Sequence, residues 1–123
     1  MPNPTAQSRR KPSHLVPRVK VWLETGGRYV FGLGVSEILE AVQRAGSIKQ
    51  AAADLSKSYR YVWGRIKQAE AALGRPLVET QVGGRGTQRS SLTPEAERLV
   101  AAFRTFRGRM MQLLPQEFAR CFG

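Results

Sequence analysis

This sequence has few residues suited to covalent or metal chemistry. Its 123 residues include one cysteine, Cys121, and one histidine, His14, which lie near opposite ends of the chain. A single thiol cannot form an internal disulfide, so no oxidising compartment is implied. Neither residue has a sequence partner for a catalytic triad or a metal site, and the acidic residues form no paired-carboxylate pattern. We therefore expect no enzyme activity, no metal and no cofactor.

Acidic residues are also scarce. Nine Asp and Glu face twenty Lys and Arg, which gives a formal net charge of +11, and no acidic residue precedes Glu24. This balance predicts a polyanionic partner, with nucleic acid favoured over an anionic membrane surface. No apolar run is long enough to span a bilayer, and the N-terminus lacks the apolar core of a signal peptide. We expect a cytoplasmic protein with no membrane partner.

The pattern along the chain predicts three regions. Residues 1–17 contain four prolines and the basic run Arg9–Lys11, which is typical of a disordered basic arm. This arm either contacts DNA or only adds solubility. Residues 18–115 are predicted to form one folded domain, and residues 116–123 a C-terminal tail. No internal repeat is present.

Two short β-rich runs open the predicted domain. Residues 20–24 and 28–31 flank Gly26–Gly27, which is the pattern of a β-hairpin, and Gly32 and Gly34 then punctuate the chain. Two further strands are predicted at residues 76–82 and 90–92. The segment between them, residues 83–89, is glycine-rich and cationic, so it reads as a flexible loop that carries Arg85 and Arg89.

Apolar residues at helical spacing predict three short helices. The first runs from about Val35 to Ala45 and is closed by Gly46, and the second is capped by Ser47. After a break at residues 56–57, the third is capped by Ser58 and ends at Gly74. The predicted buried positions are Val35, Ile38, Leu39 and Val42, then Ile48, Ala51, Ala52 and Leu55, then Val62, Ile66, Ala69 and Leu73.

A fourth, longer helix is predicted to begin at Thr93–Pro94 and to stop at Pro115. Its apolar residues recur at alternating spacings of three and four, which is a heptad seam: Ala96, Leu99, Phe103, Phe106, Met110 and Leu113. Phe103 and Phe106 fit an intramolecular core as well. Because a small domain cannot cover so long a seam, we expect a homodimer formed through Leu99, Phe103, Phe106, Met110 and Leu113.

The outward face of the third helix carries the predicted function. Arg60, Gly64 and Lys67 lie opposite its buried stripe, with Tyr61 and Gln68 beside them. Arginine suits guanine edges and glutamine suits adenine edges, whereas Lys67 suits a phosphate. Gly64 costs a helix interior about 1 kcal/mol, which is reasonable where the backbone must approach DNA closely. The alternative interpretation is an ordinary solvated cationic face.

The whole set of predicted DNA contacts is larger and includes both helix caps and the cationic loop. Tyr59 suits packing as well as contact, and Trp63 is expected to pack against the domain. The predicted contacts are Ser47, Lys57, Ser58, Tyr59, Arg60, Tyr61, Gly64, Lys67, Gln68, Arg85 and Arg89.

Residues 38–99 resemble two related families of bacterial regulators. The pattern Gly46-Ser47-Ile48, Ala51-Ala52, Leu73-Gly74 and Leu92-Thr93-Pro94-Glu95-Ala96 is similar to the LysR-type helix-turn-helix. The segment Ser58-Tyr59-Arg60-Tyr61-Val62-Trp63, with Gly83-Gly84-Arg85-Gly86 and the leading hairpin, resembles the N-terminal domain of ModE-type molybdate-responsive regulators. In those proteins the Ser-Tyr-basic segment opens the recognition helix.

The expected fold is mainly α with a small β content: a winged helix-turn-helix with an N-terminal hairpin and a long dimerisation helix. The resemblance implies a dimeric regulator of transcription that binds specific sites on double-stranded DNA. The alternative is a non-specific architectural protein of the nucleoid. An RNA-binding role is disfavoured because no aromatic RNA-binding signature is present. Since the chain ends shortly after the fourth helix, where those regulators continue into effector-binding domains, we do not expect it to sense molybdate or another oxyanion.

Overall fold

The computed structural model describes residues 14–83 and 88–123. The predictions for most of the basic arm, residues 1–13, and for residues 84–87, which include Arg85, lie outside the described residues. The described residues divide into two compact units. One comprises Val21–Thr105, and the other comprises residues 14–20 and 106–123.

The first unit begins with the predicted hairpin. Strands β1 (Trp22–Thr25) and β2 (Arg28–Gly32) pair antiparallel, with an irregularity in register between Leu23 and Glu24. Gly26 and Gly27 connect them with φ values of +57° and +77°, a backbone conformation that glycine adopts without steric cost. Residues 15–21 have no regular secondary structure, so the hairpin starts at Trp22 rather than at Lys20.

Three short helices follow, as predicted. Helix α1 spans Leu33–Ala45 and ends at Gly46 with φ of +77°. Because Gly34 lies in the first turn of α1, its predicted role as a break is wrong. Helix α2 spans Ile48–Asp54, and helix α3 spans Tyr59–Leu73, ending at Gly74. Ser56 joins α2 to α3 with φ of +58°, and the Lys57 N–H donates to the Ala52 carbonyl at 2.9 Å, which fixes a tight turn.

In the second hairpin, the first strand begins two residues later than predicted and the second strand begins two residues earlier. Strand β3 spans Val78–Val82 and pairs antiparallel with β4, Gln88–Leu92. Gln88 and Arg89 therefore belong to a strand and not to the loop. The predicted strand began at Pro76, but Thr93 and Glu70 bond to the backbone of residues 76–78 instead, which delays the start of the ladder.

Helix α4 spans Pro94–Phe122, so the prediction that Pro115 ends it is wrong, and residues 116–122 are helical. Its start is as predicted, since the Thr93 hydroxyl accepts the Ala96 N–H at 3.1 Å. Proline removes one helical hydrogen bond, but contacts beyond it support the helix. Phe118 and Phe122 stack at 4.7 Å, and Glu117 pairs with Arg120 at 3.3 Å.

The core lies where α1 meets α2, α3, β2 and the first half of α4. All four predicted apolar positions of α1 are buried, as are Val62, Ile66 and Ala69 of α3. Leu73, Ile48 and Leu55 are half-buried at the edge. Helices α2 and α3 are joined by a tight turn, and the β3–β4 hairpin and the long α4 follow them. This arrangement is a winged helix-turn-helix, which confirms the predicted fold class. Within the described residues, no helix combines the length and hydropathy needed to cross a membrane.

Candidate nucleic-acid interface

Ser47 and Ser58 cap α2 and α3, the two helices that form the candidate interface. The Ser58 hydroxyl accepts the N–H of Tyr61 at 3.0 Å, and the Ser47 hydroxyl accepts the N–H of Gln50 at 3.0 Å. Both serines thus cap their helices as predicted. A capping hydroxyl still has its own hydrogen to donate, so both remain able to contact a phosphate oxygen.

The outward ridge of α3 is formed by Arg60, Gly64 and Lys67. Arg60 is exposed and, among the described residues, no acidic side chain pairs with it. A Cβ added to Gly64 would meet nothing within 4 Å, so the fold itself leaves room for a larger residue there. Lys67 differs from Arg60, because its Nζ lies 3.2 Å from Oε1 of Glu70. The ridge therefore presents one free guanidinium, one paired ammonium and a bare stretch of backbone.

One flank of α3 faces the N-terminal hairpin. Tyr61 is exposed there, and its hydroxyl accepts a hydrogen bond from Nη1 of Arg65 at 2.9 Å. Nζ of Lys57, in the turn before α3, lies 5.4 Å from the centroid of the Tyr61 ring. Gln68 is exposed further along the same flank, where it lines a cleft beside the hairpin. These contacts orient cations and aromatic rings along one side of the ridge.

The other flank of α3 faces the β3–β4 hairpin. Tyr59 and Trp63 are exposed there, and Trp63 keeps 44% of its surface accessible. They line a groove of about 620 Å³ with residues of α2 and both strands: Ser47, Ile48, Lys49, Thr80, Gln88 and Ser90. The prediction that Trp63 packs against the domain is wrong, because α2 and the hairpin stand apart at this point and leave the groove open.

The β3–β4 hairpin brings one predicted residue to the surface. Arg89 is exposed on β4 opposite Gln81 of β3. Its neighbour Ser90 is buried, and the Ser90 N–H donates to the Gly46 carbonyl at 2.8 Å. Arg89 therefore extends from a strand that is tied to the end of α1, which fixes its position relative to α3.

Most cations around α3 have no acidic partner among the described residues. The ion pairs among the described residues join Lys67 with Glu70, Arg75 with Glu95, Arg104 with Glu40, and Arg120 with Glu117. Along the described part of the surface around α3, six cations form no ion pair: Arg28, Lys49, Lys57, Arg60, Arg65 and Arg89. No group of three or more His, Cys, Asp or Glu residues is placed to hold a metal ion in residues 14–83 and 88–123. Uncompensated positive charge of this kind favours a polyanion.

The heptad seam of α4 divides into a covered and an uncovered part. Phe103 is only 2% exposed and meets the Phe31 ring edge to face at 5.2 Å, so it belongs to the chain's own core. Its assignment to a dimer contact is corrected, because α4 packs on β2 at this turn. Leu99 is half-buried, whereas Phe106, Met110 and Leu113 are 47%, 38% and 45% exposed.

Sequence reasoning missed three residues at this surface. Trp63 lies at the edge of the buried stripe, where a helical wheel does not distinguish packing from exposure. Arg65 is half-buried and bonded to Tyr61, and the four-residue spacing of that pair on a helix was the available signal. Lys49 lies one residue inside α2, and only the approach of the β3–β4 hairpin makes it part of a groove.

Comparison with known proteins assigns a family to this arrangement. Residues 35–97 match the family described as bacterial regulatory helix-turn-helix protein, lysR family. The chain is similar to the molybdenum transport protein ModE of Herbaspirillum seropedicae, with 32% identity over 80 residues, 65% of this chain and 30% of that protein. This chain therefore spans about a third of the length of that relative.

Two solved structures share the fold. The BenM DNA-binding domain, crystallised with catB site 1 DNA, aligns with a TM-score of 0.55 and 22% identity, covering 76% of this chain and 98% of that one. The full-length regulator LysG of Corynebacterium glutamicum aligns with a TM-score of 0.51 and 29% identity, covering 71% of this chain and 28% of that one.

Proposed function

The chain belongs to the lysR family of bacterial regulatory helix-turn-helix proteins, and from this premise we propose that it regulates transcription as a dimer bound to specific sites on double-stranded DNA. The single observation that carries the proposal is the outward ridge of α3, where an exposed Arg60 stands beside the open backbone of Gly64. A ridge of this shape, unobstructed by any other described part of the chain, fits a DNA groove.

The geometry suits the major groove in particular. That groove is about 12 Å wide and admits one α-helix, and a phosphate backbone bounds it on each side. In this fold the ridge of α3 likewise has a flank on each side, one with Tyr61 and Arg65 and the other with Tyr59 and Trp63. Cations beside the flanks then meet phosphates while Arg60 reaches base edges.

Sequence preference depends on groups that reach those edges. A guanidinium that forms no intramolecular ion pair can donate two parallel hydrogen bonds to O6 and N7 of a guanine. Arg60 has this freedom, whereas the Nζ of Lys67 is 3.2 Å from a Glu70 oxygen and keeps further N–H donors for a phosphate. We therefore assign base reading to Arg60 and backbone contact to Lys67.

Dimerisation depends on the uncovered part of α4. Phe106, Met110 and Leu113 recur at spacings of four and three, and each retains more than a third of its surface. An apolar stripe of that spacing is buried when two helices pair. A two-fold pair would present two α3 helices to half-sites about one DNA turn apart, or a multiple of that.

Selection of bound sequences from a random duplex pool tests the proposal. We expect a two-fold symmetric motif, and we expect the wild-type chain to prefer the selected duplex over random duplex by about a thousandfold or more at fixed salt. Recovery of no shared motif, with equal affinity for both duplexes, would instead support a non-specific architectural protein.

Arg60→Ala is expected to weaken binding to the selected duplex by about 1–3 kcal/mol and to relax the preference at one base position. Arg98→Ala is the matched control, because Arg98 is an exposed arginine on α4, away from the ridge. Titrations of both variants against selected and random duplex at one salt concentration measure the effect. An unchanged preference in Arg60→Ala would remove this residue from base reading.

A further inference from the structure

A cationic cleft lies on the hairpin side of α3, on the flank opposite the groove that faces the β3–β4 hairpin. Its volume is about 310 Å³, and it opens between β2 and the second half of α3. The polar lining consists of Arg28, Tyr29, Arg65 and Gln68, and Val30 and Val35 form part of its apolar wall. No acidic side chain lines this cleft in the described residues.

Arg65 is held in position before any ligand arrives. Nη1 donates to the Tyr61 hydroxyl at 2.9 Å, and the guanidinium carbon lies 5.8 Å and 6.0 Å from the ring centroids of Tyr61 and Tyr29. A Cβ built on Gly34 would lie 3.6 Å from Nη2, so the guanidinium also rests against the first turn of α1. Only one of its five N–H donors is used in a recorded hydrogen bond, so the others remain available to a ligand.

Arg28 comes to the same cleft from the tip of the N-terminal hairpin. It follows the Gly26–Gly27 turn directly and pairs in register with Thr25. The nearest acidic residue on this hairpin, Glu24, accepts a hydrogen bond from the indole of Trp22 at 2.8 Å. In the described part of the chain, neither Arg28 nor Arg65 forms an ion pair.

Two guanidinium groups, a phenol and a carboxamide around one cleft suit an anion with several oxygen atoms. The position of the cleft identifies the source of that anion. It flanks α3 on the side away from the β3–β4 groove, and a helix in the major groove has one phosphate backbone on each side. We infer that this cleft clamps one phosphodiester of the DNA strand that borders α3 on the hairpin side. This inference rests on the proposed function.

The clamp makes the N-terminal hairpin a DNA-contacting element. Arg28 and Arg65 bind the phosphate, and Gln68, which lines the same cleft, orients it. The contact holds α3 in register without reading sequence, because phosphates are the same at every base pair. Arg60 and the clamp therefore contribute separable effects, one on sequence preference and the other on affinity for any duplex.

The test uses the full chain with Arg28→Gln, Arg65→Gln and the double variant, and Arg98→Gln as the matched control. We expect the double variant to bind the selected and the random duplex about tenfold or more weakly, with their ratio unchanged. The slope of log affinity against log salt should become shallower by about 0.9, the value for one phosphate. Thermal unfolding checks the fold, and Arg28→Gln, at an exposed turn, leaves the contacts of Arg65 intact.

Uncharged methylphosphonates, placed one at a time along the selected duplex, locate the contact. At one position per half-site, wild-type affinity should fall while the double variant loses nothing further. Unchanged affinity and salt slope in folded variants would overturn the clamp while leaving the Arg60 result, and thus the proposed function, intact. A loss of affinity confined to the selected duplex would also overturn the clamp. So would a result in which inorganic phosphate raises the unfolding temperature of wild type but not of the double variant, while no methylphosphonate position lowers wild-type affinity.

Discussion

Gly64 is the residue at which the requirements of folding and of DNA binding diverge most clearly. It lies inside a fifteen-residue helix, where glycine is unfavourable, and a Cβ at this position would touch nothing within 4 Å. Nothing in the described chain therefore requires glycine there. A ligand that approaches the backbone closely supplies the missing reason, and on the outward ridge that ligand is the proposed duplex.

Gly64→Ala is predicted to stabilise the free protein and weaken the complex. The helix gains about 1 kcal/mol, which raises the unfolding temperature by several degrees, while the added methyl group meets the groove floor and lowers affinity for duplex. Gly108→Ala is the control, because Gly108 lies in α4 with the same open surroundings. It should raise stability alone. Equal duplex affinity in both variants would refute close approach at Gly64.

Single-residue exposure was predictable only for side chains far from the boundary of the buried stripe. Val62 and Ile66 are buried, and Arg60 and Lys67 are exposed, as expected from the helical period of about 3.6 residues. Trp63 lies at that boundary, so its exposure depends on how far α2 stands from the β3–β4 hairpin. That separation is tertiary information, which a period in the sequence does not contain.

Among the elements, α4 has two halves with different environments. Ala96, Val100 and Phe103 are buried, and Gln43 of α1 donates to Glu97 at 3.2 Å, so the first half belongs to the folded core. From Phe106 onwards, the apolar residues of the seam are exposed. The first half thus stabilises the domain, and the second half offers the apolar stripe proposed for dimerisation.

Met110→Lys is predicted to convert a dimer into a monomer, because it places a charge in the centre of the apolar stripe. Gln112→Lys is the control, since Gln112 is an exposed polar residue outside the stripe on the same stretch of helix. Sedimentation velocity measures the mass of each variant. We expect the Met110 variant to keep its affinity for a single half-site and lose the gain from a second one. A dimer of unchanged stability in Met110→Lys would refute the assignment.

Most helix boundaries matched the local signals in the sequence, and one did not. Ser47 and Ser58 cap α2 and α3, and Gly46 and Gly74 close α1 and α3 with positive φ, as short-range rules predict. Pro115 did not end α4: the helix loses the hydrogen bond that proline cannot donate and still continues to Phe122, which stacks on Phe118. In this chain, the serine caps and the C-terminal glycines marked helix boundaries, and the proline did not.

Over the whole chain, the excess of positive charge is the property that most directly predicts a polyanionic partner. The chain carries a formal charge of +11, and its described ion pairs mostly lie away from the ridge of α3. The order of elements, and so the fold, was predictable because each helix and hairpin carries its own local pattern. The clefts on either flank of α3 were not predictable, because they form between elements distant in sequence. Arg28 of β2 and Arg65 of α3, for example, line the same cleft.

In the proposed complex, α3 lies in the major groove with its ridge against base edges. Protection of guanine N7 from methylation tests this placement, since that atom is exposed only in the major groove. On the selected duplex, we predict protected guanines in two half-sites about one helical turn apart or a multiple of that, with at least one per half-site losing protection in Arg60→Ala. Full occupancy of the duplex without any protected N7 would contradict the account.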